Sequence, residues 1–233
     1  MIDSFIRPYI NPPLSWLARK LVEAGVRADH VTWGGFGVGC IGFVMLVFGL
    51  YELALVSLVL NRLSDGMDGP VARIWQEKEP EKGATDYGGY LDIVLDMIYY
   101  AGFVFFFALG KPETFPYAAF LIFSFMGTSS SFLAYAIIAA KRGEDSQKRG
   151  FKSFYHAGGL IEGTETIIFL GLMCLFPQHF ILISIIFATL CWVTVAGRIH
   201  MARQAYGDHV SALGQEKDKQ KAASDPAAFN QQD

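Results

Sequence analysis

The chain has 233 residues, of which 52% are hydrophobic and 18% are charged. A soluble domain usually carries about 25% charged residues, so much of this chain is expected to face lipid. The formal net charge of −3 is small, and no nucleic-acid partner is expected.

The first thirty residues are predicted to form a cytosolic segment of their own. Leu14–Ala24 predicts a short amphipathic helix, because two prolines precede it and a glycine follows it. Leu14, Leu17 and Leu21 share one face of that helix. We expect it to lie flat on the membrane surface, within an N-terminal segment of residues 1–30.

Residues 31–206 are predicted to form a helical membrane domain. A bilayer core about 30 Å thick needs about 20 apolar residues in a helix. Five stretches reach or nearly reach that length: Val31–Leu50, Tyr90–Leu109, Phe115–Ala140, Leu160–Phe176 and Phe180–Ala196. A sixth, Leu53–Leu63, reaches it only by continuing through a charged segment to Arg73. We therefore predict an all-α membrane protein with six transmembrane helices, followed by a disordered cytosolic tail over residues 207–233.

The distribution of Lys and Arg predicts the orientation of these spans. With six spans, both termini and the basic loop Lys141–Lys152 share one side of the membrane, whereas the other side carries only Lys111. Positive residues accumulate on the cytosolic side, so both termini are predicted to be cytosolic.

Four aspartates lie near the cytosolic ends of the second and third predicted spans: Asp65, Asp68, Asp92 and Asp96. Spacings of three and four residues place each pair on one helix face, and antiparallel neighbouring spans would bring the pairs to similar depth. Crowded carboxylates in a low-dielectric pocket must bind protons or cations. Oxygen ligands suit Mg²⁺ or Mn²⁺, and two such ions would clamp a pyrophosphate for in-line displacement.

The residues around these aspartates follow a longer pattern. The sequence reads Asp65-x-x-Asp68-Gly69-x-x-Ala72-Arg73, then Gly88-x-x-x-Asp92-x-x-x-Asp96. This pattern resembles the signature of the CDP-alcohol phosphotransferase family, and all eight of its fixed residues are present. Together with the six-span layout, the resemblance covers roughly residues 26–200.

Two departures from the family pattern accompany this match. Fourteen residues separate Arg73 from Gly88, where the family typically has about eight. A cytosolic loop can absorb such an insert at small entropic cost. The second departure is Ala28-Asp29-His30-Val31-Thr32, which stands where many members carry Pro-Asn-x-Leu/Val-Thr.

The resemblance implies an enzyme of phospholipid biosynthesis that transfers a substituted phosphate from a CDP-alcohol to a second alcohol and releases CMP. It implies Mg²⁺ or Mn²⁺ bound by four metal ligands, the last of which is also the general base: Asp65, Asp68, Asp92 and Asp96. The implied contacts to the CDP-alcohol are Gly69, Ala72, Arg73, Gly88, Thr85 and Thr32. It further implies a homodimer in the bacterial inner membrane, a cytosolic active site, and CDP-diacylglycerol as donor.

Four further residues are candidates for binding the alcohol acceptor: Lys152, Glu162, Glu165 and Arg198. The basic residues lie at the ends of the last two predicted spans, where positive-inside bias explains them without a ligand. The two glutamates share a helix face near the start of the fifth span, where a position in the headgroup zone is the alternative. Arg62 is expected to be a counter-ion or a snorkelling side chain with no catalytic role.

Three other functions are compatible with the sequence. The donor could be a soluble CDP-alcohol such as CDP-choline or CDP-ethanolamine, with diacylglycerol as acceptor. The same aspartates could serve a divalent-cation transporter, but the outer halves of the spans are almost wholly apolar. A non-catalytic relative would bind lipid or partners only.

Overall fold

The computed structural model describes residues 3–142, 159–161 and 163–207, with side chains from residue 12 onwards. These residues form seven α-helices and no β-strand, which confirms an all-α fold. The helices are α1 (Asp3–Glu23), α2 (Ala28–Val47), α3 (Tyr51–Lys78), α4 (Asp86–Gly110), α5 (Phe115–Lys141), α6 (Gly163–Leu175) and α7 (Phe180–Tyr206). Short 3-10 helices precede three of them: Pro80–Lys82, Pro112–Thr114 and Pro177–His179.

Four of the described helices, α2, α4, α5 and α7, are long and apolar enough to cross a membrane. These helices make the chain an integral membrane protein. The predicted second span corresponds to α3, which has 28 residues and carries the first aspartate pair. The predicted fifth span corresponds to α6, of which 13 residues are described. The count of six transmembrane helices stays a prediction.

The helix ends differ from the predicted spans by several residues. α2 begins at Ala28, three residues before the predicted start at Val31, and α7 continues ten residues beyond Ala196. Apolar runs mark the part of a helix that faces lipid, whereas the backbone hydrogen bonds continue into polar residues at the interface. The predicted disordered tail lies outside the described residues, except for Gly207, which caps α7.

The N-terminal helix differs from expectation in its extent and its buried face. α1 starts at Asp3 and passes through the prolines expected to precede it, since an internal proline removes one hydrogen bond without always ending a helix. Leu17, predicted on the apolar face, is 39% exposed. The buried cluster at this end of the molecule consists of Leu14, Ala18, Val22, Val31, Met67, Val71 and Trp75. The apolar face of α1 is therefore covered by α3.

Aromatic side chains fill the core between α2, α4 and α7. Phe103 and Phe107 of α4 are completely buried. The ring of Phe107 stacks on Phe180 of α7 with centroids 4.1 Å apart, and the ring of Phe43 on α2 stacks on Tyr99 at 5.4 Å. Burial of such large rings is a major favourable contribution to packing, and it holds α4 against both neighbours.

Small residues allow α2 to approach α3 closely. A Cβ atom at Gly35 would lie only 2.5 Å from the Cβ of Ser64, so no larger residue fits there without movement. Two α3 side chains donate hydrogen bonds to the backbone of α2. Asn61 Nδ2 bonds to the carbonyl of Gly35 at 2.9 Å, and Ser57 Oγ bonds to that of Val38 at 2.6 Å. These contacts set the register of α3, and hence of its aspartates, against α2.

Candidate active site

Three of the four signature aspartates converge where α3 passes α4. Asp65, Asp68 and Asp92 each offer one carboxylate oxygen, and these oxygens lie within 4.8 Å of one another. Asp65 and Asp68 are partly buried, and Asp92 is exposed. Hard oxygen ligands from two rigid helices form a donor set that suits a divalent ion such as Mg²⁺ or Mn²⁺.

Asp68 is held by two donors that fix the direction of its carboxylate. The hydroxyl of Thr32 on α2 donates to Asp68 Oδ2 at 2.9 Å, and the amide of Gly69 donates to Oδ1 at 2.6 Å. Thr32, predicted to contact the nucleotide, therefore touches a candidate metal ligand directly. Donors of this kind orient a ligating carboxylate.

The start of α4 carries the second half of the signature. The side chain of Thr85 caps this helix, because its hydroxyl accepts a hydrogen bond from the amide of Gly88 at 2.9 Å. A Cβ atom at Gly88 would lie 3.3 Å from both Asp29 Oδ1 and the Thr85 hydroxyl. A side chain at position 88 would therefore be crowded between α2 and α4. The neighbour on α2 is Asp29, which stands where many family members carry Asn.

Asp96 lies one turn further along α4 and has a different set of partners. Its Oδ1 accepts from Arg62 Nη2 at 2.6 Å, and its Oδ2 accepts from Nη1 at 3.2 Å. The hydroxyl of Tyr100 also donates to Oδ2, at 3.1 Å. Arg62 Nη1 reaches Asp65 Oδ2 at 3.5 Å. The guanidinium therefore joins Asp96 to Asp65, one of the three converging aspartates.

Arg62 lies within the site, although its sequence position predicted only a counter-ion or a snorkelling side chain. The available signal was a charged residue three positions before Asp65 in an otherwise apolar stretch, where a cation is costly unless it has a partner. The expected counter-ion role is correct as far as it goes, and snorkelling is wrong, because only 10% of the side chain is exposed.

A cleft between α2, α3 and α4 opens onto these residues. Its walls are formed by Thr32, Gly35, Phe36, Asn61, Arg62, Asp65, Asp92, Leu95 and Asp96. Asp65, Asp92 and Asp96 thus share this cleft with Thr32 and Arg62. Gly69 and Ala72 follow on α3, and Arg73 lies exposed one turn beyond Gly69. An exposed guanidinium in this position is free to reach an anionic ligand.

The long spacer is folded against the bundle. It extends α3 to Lys78, and the 3-10 helix Pro80–Lys82 then leads back to the cap of α4. The indole N–H of Trp75 donates to the carbonyl of Val26 at 2.7 Å, and Lys82 Nζ lies 4.9 Å from the centre of the indole ring. The additional residues are therefore part of the structure that positions the start of α4.

Two of the acceptor candidates, Arg198 and Glu165, are among the described residues, and neither lines this cleft. Arg198 is 8% exposed, donates to the carbonyl of Thr128 at 2.9 Å, and stacks 5.5 Å from the centre of the Phe132 ring, so it joins α7 to α5. Glu165 is partly buried in the first turn of α6. Lys152 and Glu162 lie outside the described residues.

An all-α membrane bundle with a carboxylate set between two of its helices defines a class of membrane protein suited to divalent-ion chemistry. The model of the CDP-alcohol phosphatidyltransferase family matches residues 27–199. The chain therefore belongs to the CDP-alcohol phosphatidyltransferase family, a family of membrane enzymes in phospholipid biosynthesis that transfer phosphatidyl groups, as the eight-residue signature predicted.

Two curated relatives extend this finding. The chain is 44% identical over 200 residues to the inner membrane protein YnjF of Escherichia coli (strain K12), covering 85% of this chain and 94% of the relative. It is 28% identical over 114 residues to the archaetidylinositol phosphate synthase of Pyrococcus horikoshii, covering 46% of this chain and 54% of that protein.

Solved structures of one protein share the fold. The phosphatidylinositol phosphate synthase PgsA1 of Mycobacterium tuberculosis with CDP-DAG bound superimposes with a TM-score of 0.58 at 22% identity, over 82% of this chain and 93% of that one. Its complex with manganese and citrate gives a TM-score of 0.57 at 22% identity, over 80% and 87%. At this identity the likeness establishes the fold alone.

Proposed function

We propose that this chain transfers a phosphatidyl group from CDP-diacylglycerol to the hydroxyl of a small alcohol and releases CMP. The observation that carries the proposal is the convergence of Asp65, Asp68 and Asp92 within 4.8 Å, in a chain that has all eight signature residues. Binding of CDP-DAG and of manganese by the structurally similar PgsA1 supports the donor and the metal.

The three converging aspartates would hold a divalent ion, Mg²⁺ or Mn²⁺. When bound, such an ion neutralises charge on the pyrophosphate and stabilises the developing charge of an in-line displacement. Asp65 and Asp68 are carried by α3 and Asp92 by α4, and both helices pack on α2, which positions the three carboxylates relative to one another. The sequence predicted Asp96 as a fourth ligand in a two-ion site. Both oxygens of Asp96 accept hydrogen bonds from Arg62, so an ion bound to Asp96 would compete with that guanidinium.

Asp96 is the proposed general base. It removes the proton from the acceptor hydroxyl, whose oxygen then forms a bond to the lipid-side phosphorus while the bond to the oxygen of CMP breaks. Oδ2 of Asp96 accepts from both Arg62 and Tyr100, whereas Oδ1 accepts only from Arg62 and keeps a lone pair for the acceptor hydroxyl.

The nucleotide is proposed to lie across the start of α4 and the facing part of α3. Gly88 permits close approach to the α4 backbone, while Thr85 holds that end of the helix in shape. Gly69 and Ala72 add small residues on α3, and the exposed Arg73 can pair with a phosphate.

The cytosol is the proposed side of the site, on the basis of the Lys and Arg distribution. CDP-diacylglycerol keeps its acyl chains in the leaflet and its nucleotide at headgroup level, so a site at one end of α3 and α4 would meet both donor and soluble acceptor. Lys152, Glu162, Glu165 and Arg198 remain proposed acceptor contacts, and a homodimer remains a proposal. Segment boundaries at residues 30 and 206 are predictions of the same kind.

The test is release of CMP by the purified protein with CDP-diacylglycerol, Mg²⁺ or Mn²⁺, and a panel of acceptors: glycerol phosphate, inositol phosphate and serine. We expect release that depends on one of these acceptors. A second arm supplies CDP-choline or CDP-ethanolamine with diacylglycerol, and activity in that arm alone would contradict the proposed donor. Absence of CMP in both arms would contradict the transfer reaction.

A further inference from the structure

The guanidinium of Arg62 is fixed by groups that do not belong to the family signature. Asn61 Oδ1 accepts from Arg62 Nε at 2.9 Å and from Nη2 at 2.6 Å, and the hydroxyl of Tyr100 accepts from Nη1 at 2.8 Å. The guanidinium carbon lies 5.2 Å from the centre of the Tyr99 ring and 5.1 Å from that of Tyr100. Asn61 is itself held by the carbonyl of Gly35. Three helices therefore define where this positive charge lies.

The four aspartates divide into three and one around this charge. Asp65, Asp68 and Asp92 supply oxygens that lie within 4.8 Å of one another, and of these three only Asp65 reaches Arg62, at 3.5 Å. Asp96 instead directs both of its oxygens to Arg62. A two-point pairing of guanidinium and carboxylate is both strong and directional. A divalent ion bound to Asp96 in place of this pairing would lie close to the buried guanidinium of Arg62, and the two positive charges would repel each other.

We propose that Arg62 acts as the fixed second cation of this site, holding Asp96 in place of a second divalent ion. The chain then binds one divalent ion, on Asp65, Asp68 and Asp92. This inference rests on the proposed function and refines its expectation of two ions. Arg62 is a positioning residue, because it acts on the acceptor hydroxyl only through Asp96.

The count of charges agrees with this arrangement. Four carboxylates carry four negative charges, Arg62 contributes one positive charge, and a single divalent ion contributes two. The site then retains one net negative charge before the anionic donor enters, and this charge lies on the three converging aspartates, because Asp96 and Arg62 cancel each other. Two divalent ions beside Arg62 would leave one net positive charge and would take Asp96 away from its guanidinium partner.

The test counts Mn²⁺ ions per chain by electron paramagnetic resonance of the free ion, on protein purified in detergent, with and without CMP. We expect one ion per chain in the unchanged protein under both conditions. Arg62→Gln should bind a second ion, because Asp96 becomes available, whereas Arg62→Lys should keep the count at one. Two ions in the unchanged protein, or one ion in a folded Arg62→Gln variant, would overturn the proposal.

A second variant decides the question if Arg62→Gln does not fold. Asp96→Asn should leave the count at one and the Mn²⁺ affinity within about threefold, whereas loss of a true ligand would weaken binding by about tenfold or more. Arg62→Lys should also retain part of the kcat for CMP release with little change in the KM for CDP-diacylglycerol.

These measurements separate the inference from the reaction on which it rests. A chain that binds one ion but releases no CMP contradicts the proposed function and leaves the ion count intact. A chain that releases CMP while binding two ions contradicts only the role of Arg62.

Discussion

Thr32 on α2 donates a 2.9 Å hydrogen bond to Oδ2 of Asp68 on α3. A residue from outside the eight-residue signature therefore orients one of the carboxylates inside it. The same hydroxyl lies 3.2 Å from the carbonyl of Ala28, which lets it donate within its own helix instead.

Thr32→Val should weaken metal binding while leaving the fold intact. The substitution keeps the shape of the side chain and removes only the donor to Asp68. Partners that orient a metal ligand typically contribute about 10- to 100-fold in metal affinity or activity, so we expect a loss in that range. Mn²⁺ titration measures it. Thr32→Ser, which keeps the hydroxyl, is the control, and equal affinities for the two variants would remove Thr32 from the site.

Asp96→Asn should abolish turnover and leave nucleotide binding in place. Asparagine has nearly the same shape but cannot accept the proton of the acceptor hydroxyl. Binding of CDP-diacylglycerol and release of CMP are measured on the same preparation. Glu52→Gln, at the far end of α3 and exposed, is the matched control and should retain activity. Full activity of Asp96→Asn would exclude Asp96 as the base.

Gly35→Ala should destabilise the contact between α2 and α3. The added methyl group would lie 2.5 Å from the Cβ of Ser64, and overpacking of this kind typically costs about 1–3 kcal/mol. Thermal unfolding in detergent should show a lower midpoint. Gly34→Ala is the control, because a Cβ there meets nothing within 4 Å. A midpoint for Gly35→Ala at or above that of the control would mean that the two helices are not packed as described.

Thr85→Ala should lower stability by about 1 kcal/mol, since it removes the cap of α4. We also expect a higher KM for CDP-diacylglycerol, because the capped turn carries Gly88. Thr85→Asn restores a good capping group and should restore stability. If this variant also restores the KM, Thr85 acts through the cap, whereas a KM that stays high would assign Thr85 a direct contact with the nucleotide.

Spacing within a single helix was enough to predict part of the site. Residues three apart on α3 share a face, and the antiparallel arrangement of α3 and α4 follows from their order in a membrane. Asp65, Asp68 and Asp92 do converge, as that reasoning requires. The same reasoning grouped Asp96 with them, although its immediate neighbour is Arg62.

Contacts between helices could not be predicted in this way. The bond from Thr32 to Asp68 joins residues 36 positions apart and depends on the register of α2 against α3. That register is determined by close packing at Gly35 and by the bond from Asn61, which apolar periodicity does not reveal. Leu17 was misplaced for a related reason. The face of α1 that meets α3 repeats every four residues, through Leu14, Ala18 and Val22.

The central claim is that the carboxylates of α3 and α4 bind a divalent ion that the transfer reaction requires. The most direct measurement is the Mn²⁺ dependence of CMP release from CDP-diacylglycerol, by the unchanged protein and by Asp92→Asn. We predict saturable activation that a chelator abolishes and added Mn²⁺ restores, with activity lost in the variant. CMP release that persists after complete chelation, or that Asp92→Asn retains in full, would contradict the account.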